Sequence, residues 1–312
     1  MKSLAVIGAL AALLAAGHAV GTSKAAFTAH DEFTATVSTA ADWVAPSVTL
    51  TAPADGSYTK STSVTLSGAA GNASGDSTTV TLDIFSGSSA TGTPVLTRSV
   101  TRSAATWSTT VTTLGQGTYT ARATQSDSSD NTGTSTERTF TIDTTAPTRV
   151  SIAAANGTGT PGRLDAGDTI TFTYSEPMLP SSILSGWSGS SAATVKVRFF
   201  SGTTDAFTVL DSASGANVKL DAGTTAGGGV SLGSGGNYVT NTVNFSATLT
   251  QSADDKSFVV TLGSPDISSR IVTTANSARN MTWTPKSGPT DLATNPLAST
   301  ASWTETDFDR DF

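Results

Sequence analysis

The chain has no cysteine and only two histidines, His18 and His30, among its 312 residues. Lack of cysteine excludes thiol chemistry and any Cys-based metal site, although exported domains of this size can fold on a hydrophobic core alone. No histidine follows Ser231 of G-V-S-L-G, so the base that a nucleophile elbow needs in the usual hydrolase order is missing. The sequence therefore predicts a protein that is not an enzyme, with no catalytic and no cofactor-binding residue.

Charge is also scarce, because only 13% of the residues are charged and the net charge is −7. Nucleic-acid binders need a basic face to neutralise phosphates, and no cluster of Lys and Arg is present, so we expect no nucleic-acid partner. Asp168 and Glu176 flank one predicted strand, about 27 Å apart, which is too far for a catalytic carboxylate pair. Glu176, directly before Pro177, is expected to be an exposed residue at a strand end.

Long apolar runs are limited to the start of the chain, MKSLAVIGALAALLAAGHAV. Lys2 is followed by an apolar run from Leu4 to Ala16, which has the length of a signal-peptide core and is short for a membrane span. Small residues follow, so cleavage is expected after Ala19 or Ala25; a retained N-terminal anchor is the alternative. We therefore predict a signal peptide over 1–25, a secreted or surface-associated protein, and no membrane partner after cleavage.

What the chain does have is threonine, serine and glycine in alternating patterns. From residue 46 onward, short segments alternate apolar and polar residues and are separated by clusters of Gly, Asn, Asp and Ser, which is typical of strands and turns. Seven such strands are predicted at 48–53, 63–68, 78–85, 94–101, 106–113, 118–125 and 138–143. This spacing favours an Ig-like β-sandwich over 46–146, the first module, preceded by an N-terminal extension over 26–45.

The segment IDTTAPT (142–148) is predicted to close the first module and open the second, since Pro147 removes a backbone donor and favours an extended Ala146. The second module is predicted over 147–307, followed by an acidic tail over 308–312. Its predicted strands are 169–176, 194–200, 207–210, 243–249 and 257–262. A short helical turn is expected within 180–187, and the Gly-rich stretch 212–237 is expected to be an inserted hairpin or loop.

An internal repeat relates the ends of the two modules. At a constant offset of 164 residues, identical residues recur at five positions: Asp127 and Asp291, Asn131 and Asn295, Ser135 and Ser299, Thr136 and Thr300, and Asp143 and Asp307. A D-x-x-x-N turn thus precedes the last strand of each module. The repeat predicts two related modules, and hence an all-β fold of two tandem Ig-like β-sandwiches.

The same residues carry a resemblance to known families. SDSSDNTGTSTERTFTIDTTAPT (126–148) resembles the end of bacterial Ig-like domains. GDTITFTYSEPM (167–178), with the late DLATNPLAST (291–300), is similar to Ig-like modules of bacterial surface-layer and adhesion proteins. Residues 25–43 resemble the region after the signal peptide in secreted proteins that a dedicated signal peptidase processes, some of which build extracellular fibres. The family's turn carries Gly where this chain has Asp130 and Thr294, a change that can alter the turn geometry.

Calcium is the one ligand that the residue pattern suggests. Asp127, Asp130 and Asn131 cluster in the first turn, Asp291 and Asn295 repeat part of it, and Asp143 and Asp307 follow the last strands. Hard cations take six or more oxygen ligands, so these residues form a weak candidate site if folding brings them together. The alternative is that the Asp and Asn side chains only cap their own turns.

These observations predict a non-catalytic structural or adhesive protein of the cell surface or extracellular matrix. Its expected partners are other surface proteins, copies of itself or extracellular glycans. The alternative is a soluble carbohydrate-binding module, which an exposed platform of tryptophans would favour. The five tryptophans are scattered, at 43, 107, 187, 283 and 303, and the pattern around Trp107 is that of a buried strand residue.

Overall fold

The computed structural model describes residues 43–312 apart from 307, 309 and 311, together with two short segments nearer the start. These segments are β1 (Lys24–Ala25) and β2 (Phe33–Thr34), which pair antiparallel. Most of the predicted signal peptide and most of the predicted extension lie outside the described residues. Within the described part of the chain, no helix is long and apolar enough to cross a membrane.

The first module consists of eight strands. They are β3 (Ser57–Thr59), β4 (Val64–Ala69), β5 (Thr79–Ser86), β6 (Leu96–Thr101), β7 (Thr106–Val111), β8 (Gly117–Ser126), β9 (Thr132–Thr134) and β10 (Arg138–Ile142). One sheet has the order β3-β10-β8-β5-β6, with β9 also paired to β8, and the other consists of β4 and β7. Strand β3 runs parallel to β10, whereas the other pairs are antiparallel.

Alternation along these strands buries one face of each sheet against the other. Leu82 and Ile84 of β5 point inward from one sheet, and Leu66 of β4 and Trp107 of β7 from the other. The Trp107 indole N–H donates to the carbonyl oxygens of Thr49 and Ala69, at 3.0 and 3.1 Å. The predicted strand at 48–53 is not a regular strand, although Thr51 N donates to Ser67 O at 2.8 Å beside β4. The Ala52–Pro53 peptide bond there is cis, and proline has no N–H to continue the ladder.

In the part of the second module that the structure describes, nine strands pair antiparallel in one continuous sheet. They are β11 (Arg149–Ala155), β12 (Thr169–Tyr174), β13 (Ala193–Phe200), β14 (Ala206–Asp211), β15 (Val230–Ser231), β16 (Val243–Gln251), β17 (Ser257–Pro265), β18 (Thr282–Trp283) and β19 (Trp303–Thr304). Their order is β11-β12-β17-β16-β13-β14-β15-β18-β19. A helical turn, α1 (Pro180–Ile183), confirms the expectation for 180–187, and a 3₁₀ turn covers Ser268–Arg270.

This long sheet folds over on itself. Trp283 of β18 lies six places from β12 in the strand order, yet its ring centroid is 5.3 Å from that of Phe172 and 5.5 Å from that of Tyr174. The two ends of the sheet therefore face each other as the layers of a sandwich. The Gly-rich stretch 212–237 belongs to this structure rather than being appended to it, because it contributes β15 and the buried side chains Val218, Leu220 and Leu232.

Buried side chains form two separate clusters, one within Val48–Ile142 and the other within Ile152–Phe312. The all-β sandwich fold predicted from the alternating pattern is confirmed.

Candidate cation site at the joint between the modules

The two D-x-x-x-N turns have the same internal geometry. In the first, Asp127 Oδ1 accepts from Asn131 N at 2.9 Å and Oδ2 accepts from Asn131 Nδ2 at 2.8 Å. In the second, Asp291 Oδ1 and Oδ2 accept from the same two atoms of Asn295 at 2.8 and 2.7 Å. Each turn is thus held by a carboxylate that caps its own backbone.

The residue before each Asn has a positive φ, 64° for Asp130 and 67° for Thr294. These are the positions where the resembling families carry Gly, the residue that adopts this conformation without steric cost. Both turns thus adopt the positive φ with Asp or Thr in place of Gly. A β-branched Thr in this region is a genuine outlier.

Among the described residues, the acidic side chains of the first turn hydrogen-bond only within that turn and do not reach the joint. Asp127 accepts a further bond from Ser129 N at 2.8 Å, and the side-chain hydrogen bond from Asn131 lowers the pKa of Asp127. Asp130 is exposed. Neither belongs to the one group of three or more possible metal-binding side chains found among the described residues. The structure does not bring this part of the predicted calcium set to the joint.

That one group consists of Asp143, Glu176 and Asp291, and it lies where the modules meet. One carboxylate oxygen from each lies within 4.8 Å of the others. Asp143 directly follows β10 of the first module, Glu176 lies two residues beyond β12, and Asp291 opens the second turn. Of the residues predicted from sequence, Asp143 and Asp291 are thus brought together, whereas Asp307 lies outside the described residues.

Glu176 is the member that sequence reasoning missed, since it was expected to be an exposed strand-end residue. It is half-buried, and its Oε1 atom is buried with no hydrogen-bond partner. Burial and then the charges of Asp143 and Asp291 raise the pKa of Glu176 to about 7. The string S-E-P-M places Glu176 just after a strand. Local sequence pattern does not show which residues lie beside that strand end at the joint.

Polar contacts surround the cluster and link the modules. Asn295 Nδ2 donates to the carbonyl oxygen of Asp143 at 2.8 Å as well as to Asp291, so one amide connects both sides. Lys60 Nζ of the first module donates to Thr294 O of the second at 3.2 Å. The two hydrophobic clusters share no residue, and these polar contacts connect one module to the other across the joint.

The arrangement is chemically suited to a hard cation. All three groups offer carboxylate oxygens, the ligand type that Ca²⁺ prefers. At a separation of about 5 Å and an effective dielectric constant near 20, two carboxylates repel by about 3 kcal/mol, and by less where water reaches them. The charge of Lys256 opposes the rise in the pKa of Glu176 without cancelling it. The ion pair within 4.0 Å found among the described residues, Arg122–Glu137, includes no member of the cluster. A bound cation or a proton on Glu176 would relieve the repulsion.

The tryptophans form no surface platform in the described part of the chain. Trp107, Trp187 and Trp283 are buried in the two cores, and Trp303 is half-buried. Trp43 alone among the five is exposed, with 80% of its surface accessible. The feature that would favour a stacking site for sugars is therefore not seen.

Comparisons with known proteins give only distant matches. No family model matches the sequence, and no curated protein matches it. Among solved structures, fibronectin(III)-like modules of CbhA from Clostridium thermocellum match 70% of this chain and 90% of theirs, at 13% identity and a TM-score of 0.25. Dimeric latent PorU from Porphyromonas gingivalis matches over 72% of this chain and 20% of its own, at 13% identity and a TM-score of 0.22. The fold assignment rests on the strand order and packing described above.

Proposed function

We propose that this chain is a secreted, non-catalytic structural or adhesive protein in which Ca²⁺ clamps two Ig-like modules in a fixed orientation. Asp143, Glu176 and Asp291 would be the carboxylate ligands. The observation that carries the proposal is the convergence of acids from both sides of the joint, including a buried oxygen of Glu176 without a hydrogen-bond partner.

A clamped joint suits a spacer or adhesive role. The inter-module contacts named above are polar and few, and such joints allow relative motion unless something fixes them. A cation bound by residues of both modules would hold the modules in line and stabilise the folded chain by mass action, by about 2.7 kcal/mol at 100 times its dissociation constant. Water and backbone oxygens would supply the remaining ligands, because Ca²⁺ takes six to eight.

Calorimetric titration of Ca²⁺ into the full-length chain tests the proposal. We expect one site, with Glu176→Gln weakening binding at least tenfold, because a carboxylate ligand becomes a neutral amide of nearly the same shape. Glu137→Gln is the matched control, since Glu137 is an exposed acid of the first module and binding should be unchanged. No saturable heat at millimolar Ca²⁺, or equal affinity of both variants and the parent, would overturn the proposal.

Carbohydrate binding is the second candidate. A shallow groove of about 480 Å³ crosses β13, β16 and the end of β17, lined by Lys196, Ser212, Asn244, Ser246 and Asp266 among others. These hydroxyl, amide and charged groups can hydrogen-bond a sugar, although no exposed aromatic ring lies among them. Screening the full-length chain against neutral oligosaccharides, with Lys196→Ala as the test variant and the exposed Lys219→Ala as its control, would decide this alternative.

A further inference from the structure

Asp143, the first residue after β10, is held by hydrogen bonds at three of its atoms. Its N–H donates to the carbonyl oxygen of Thr59 in β3 at 2.9 Å, and its own carbonyl oxygen accepts from Asn295 Nδ2 at 2.8 Å. Its carboxylate Oδ1 accepts from Thr145 N at 3.0 Å, which closes a turn of the Asx type. Thr59 and Asn295 thus fix the backbone of Asp143, whereas Thr145 sets the direction of its carboxylate.

The side chain that holds Thr145 belongs to the loop between β7 and β8. Gln116 Oε1 accepts from Thr145 Oγ1 at 3.0 Å, from Thr144 Oγ1 at 2.9 Å and from Thr144 N at 3.4 Å. We name Gln116, Thr144 and Thr145 the glutamine clasp. All three bonds end on the same amide oxygen, so Gln116 serves the clasp as an acceptor.

Strand register brings Gln116 to the joint. Gly117, the first residue of β8, pairs with Ile142, the last residue of β10, in antiparallel orientation. The residue before β8 therefore lies beside the residues that follow β10. All three members of the glutamine clasp are exposed, and an exposed hydrogen bond adds little to the stability of a fold because water can replace it. Orientation of the joint is the effect that remains for the clasp to exert.

We propose that Gln116 is a positioning residue of the cation site, because the glutamine clasp fixes the turn that aims the Asp143 carboxylate at Glu176 and Asp291. This inference rests on the proposed function. One carboxylate oxygen of each acid lies within 4.8 Å of the others, although like charges at this distance repel. A turn held in place keeps Asp143 facing the other two acids before the cation arrives, and such preorganisation raises affinity.

Calorimetric titration of Ca²⁺ into the full-length chain and its Gln116→Ala variant tests the inference. Loss of a group that hydrogen-bonds a metal ligand directly costs roughly 10- to 100-fold in affinity, and Gln116 acts one residue further out, so we expect binding to weaken about fivefold. Gln116→Glu keeps an acceptor oxygen and should bind at least as tightly as the parent. Thr113→Ala, at an exposed position of the same loop, is the control and should leave the affinity unchanged.

Denaturant unfolding separates positioning from a general loss of stability. In chelator, Gln116→Ala should unfold at the same midpoint as the parent chain, and only the shift that Ca²⁺ adds to the midpoint should shrink. Thr145→Val removes one hydroxyl of the glutamine clasp, keeps the shape of the side chain and should give the same result. Midpoints lowered equally with and without Ca²⁺ would show a structural role alone and overturn the inference.

The outcomes distinguish this inference from the proposed function. Absence of Ca²⁺ binding to the parent chain would overturn both. Ca²⁺ binding to the parent that neither Gln116→Ala nor Thr145→Val weakens would overturn the positioning role alone. Equal weakening by Gln116→Glu and Gln116→Ala would likewise contradict a role that depends on the acceptor oxygen.

Discussion

The turns Asp127–Asn131 and Asp291–Asn295 are two copies of one structure in different surroundings. Their capping hydrogen bonds agree within about 0.1 Å. Among the residues that the structure describes, however, the first turn belongs to no group of three possible metal ligands, whereas Asp291 lies beside Asp143 and Glu176. The turn itself is therefore a structural element. A candidate ligand site arises only at the second turn, where Asp143 at the end of the first module and Glu176 lie beside Asp291.

The two cores should respond separately to the loss of a large side chain. Trp283→Ala should destabilise the second module by about 3–5 kcal/mol, the usual cost of removing a buried Trp, and leave the first module's unfolding transition in place. Trp107→Ala is the matched variant and should do the reverse. Scanning calorimetry with resolved transitions checks this, and a single transition shifted equally by both variants would show that the modules unfold as one unit.

The modules should also differ in their response to pH. Burial raises the pKa of Asp221 in the second module to about 6, against about 3.9 in an unfolded chain. The folded state thus binds this proton more tightly, so its stabilising contribution is full below about pH 4 and is lost as pH rises through 6. The expected loss is about 3 kcal/mol.

Denaturant unfolding of the second module at pH 4 and pH 7 measures that loss. Asp221→Asn removes one titrating group and should reduce the difference, with Glu176, whose pKa is also raised, accounting for a remaining part. The variant also weakens the bonds to Thr208 Oγ1, Val209 N and Gly223 N. Asp127 in the first module should act in the opposite direction, because its pKa is lowered and its contribution is lost as pH falls. An unchanged slope in Asp221→Asn would assign the pH dependence to other groups.

Substitution of Asn295 and of its repeat partner Asn131 distinguishes the contribution of the turn from that of the joint. Asn295→Ala removes donors to Asp291 Oδ2 and Asp143 O, leaving polar atoms unsatisfied at a cost of about 2 kcal/mol. It should also loosen the module orientation. Asn131→Ala weakens the equivalent turn bond and should leave the joint unchanged. Small-angle scattering together with unfolding distinguishes the two effects, and equal loosening by both variants would contradict the assignment.

The smallest effect concerns backbone strain in the same two turns. Thr294→Gly should stabilise the second module by about 1 kcal/mol, because glycine adopts a φ near +67° without the steric cost that a branched residue incurs. Asp130→Gly should gain less, since Asp tolerates this region better than Thr does. Midpoints of chemical unfolding provide the measurement, and a destabilising Thr294→Gly would show that the Thr side chain has a compensating contact.

The sequence was most informative where structure is local. Alternation around Leu82, Trp107 and Phe172 specified strands and their buried faces, because one residue in two must face the core of a sandwich. The offset of 164 residues is enough to identify the paired turns from the sequence alone. Short strands such as β3 and β9 were missed, since three residues carry too little pattern to recognise.

The parts that could not be predicted depend on contacts between distant segments. Glu176 reaches the cluster because β12 ends beside the joint, which follows from the register of the sheet and not from the string S-E-P-M. The sequence pattern places Phe312 in a polar tail, because nothing in its neighbours indicates that its ring packs against Phe199 and Tyr238. The Gly-rich composition of 212–237 similarly predicts a loop, although the stretch contains a short strand and buried core residues.

The most direct test of the clamped joint is a distance distribution between the modules with and without Ca²⁺. The chain has no cysteine, so spin labels on Ser88→Cys and Ala226→Cys, both exposed positions, report one distance across the joint. The account predicts a broad distribution in chelator that narrows on saturation with Ca²⁺, and no narrowing when Glu176→Gln is added. A distribution that is equally narrow with and without Ca²⁺ would contradict the cation clamp.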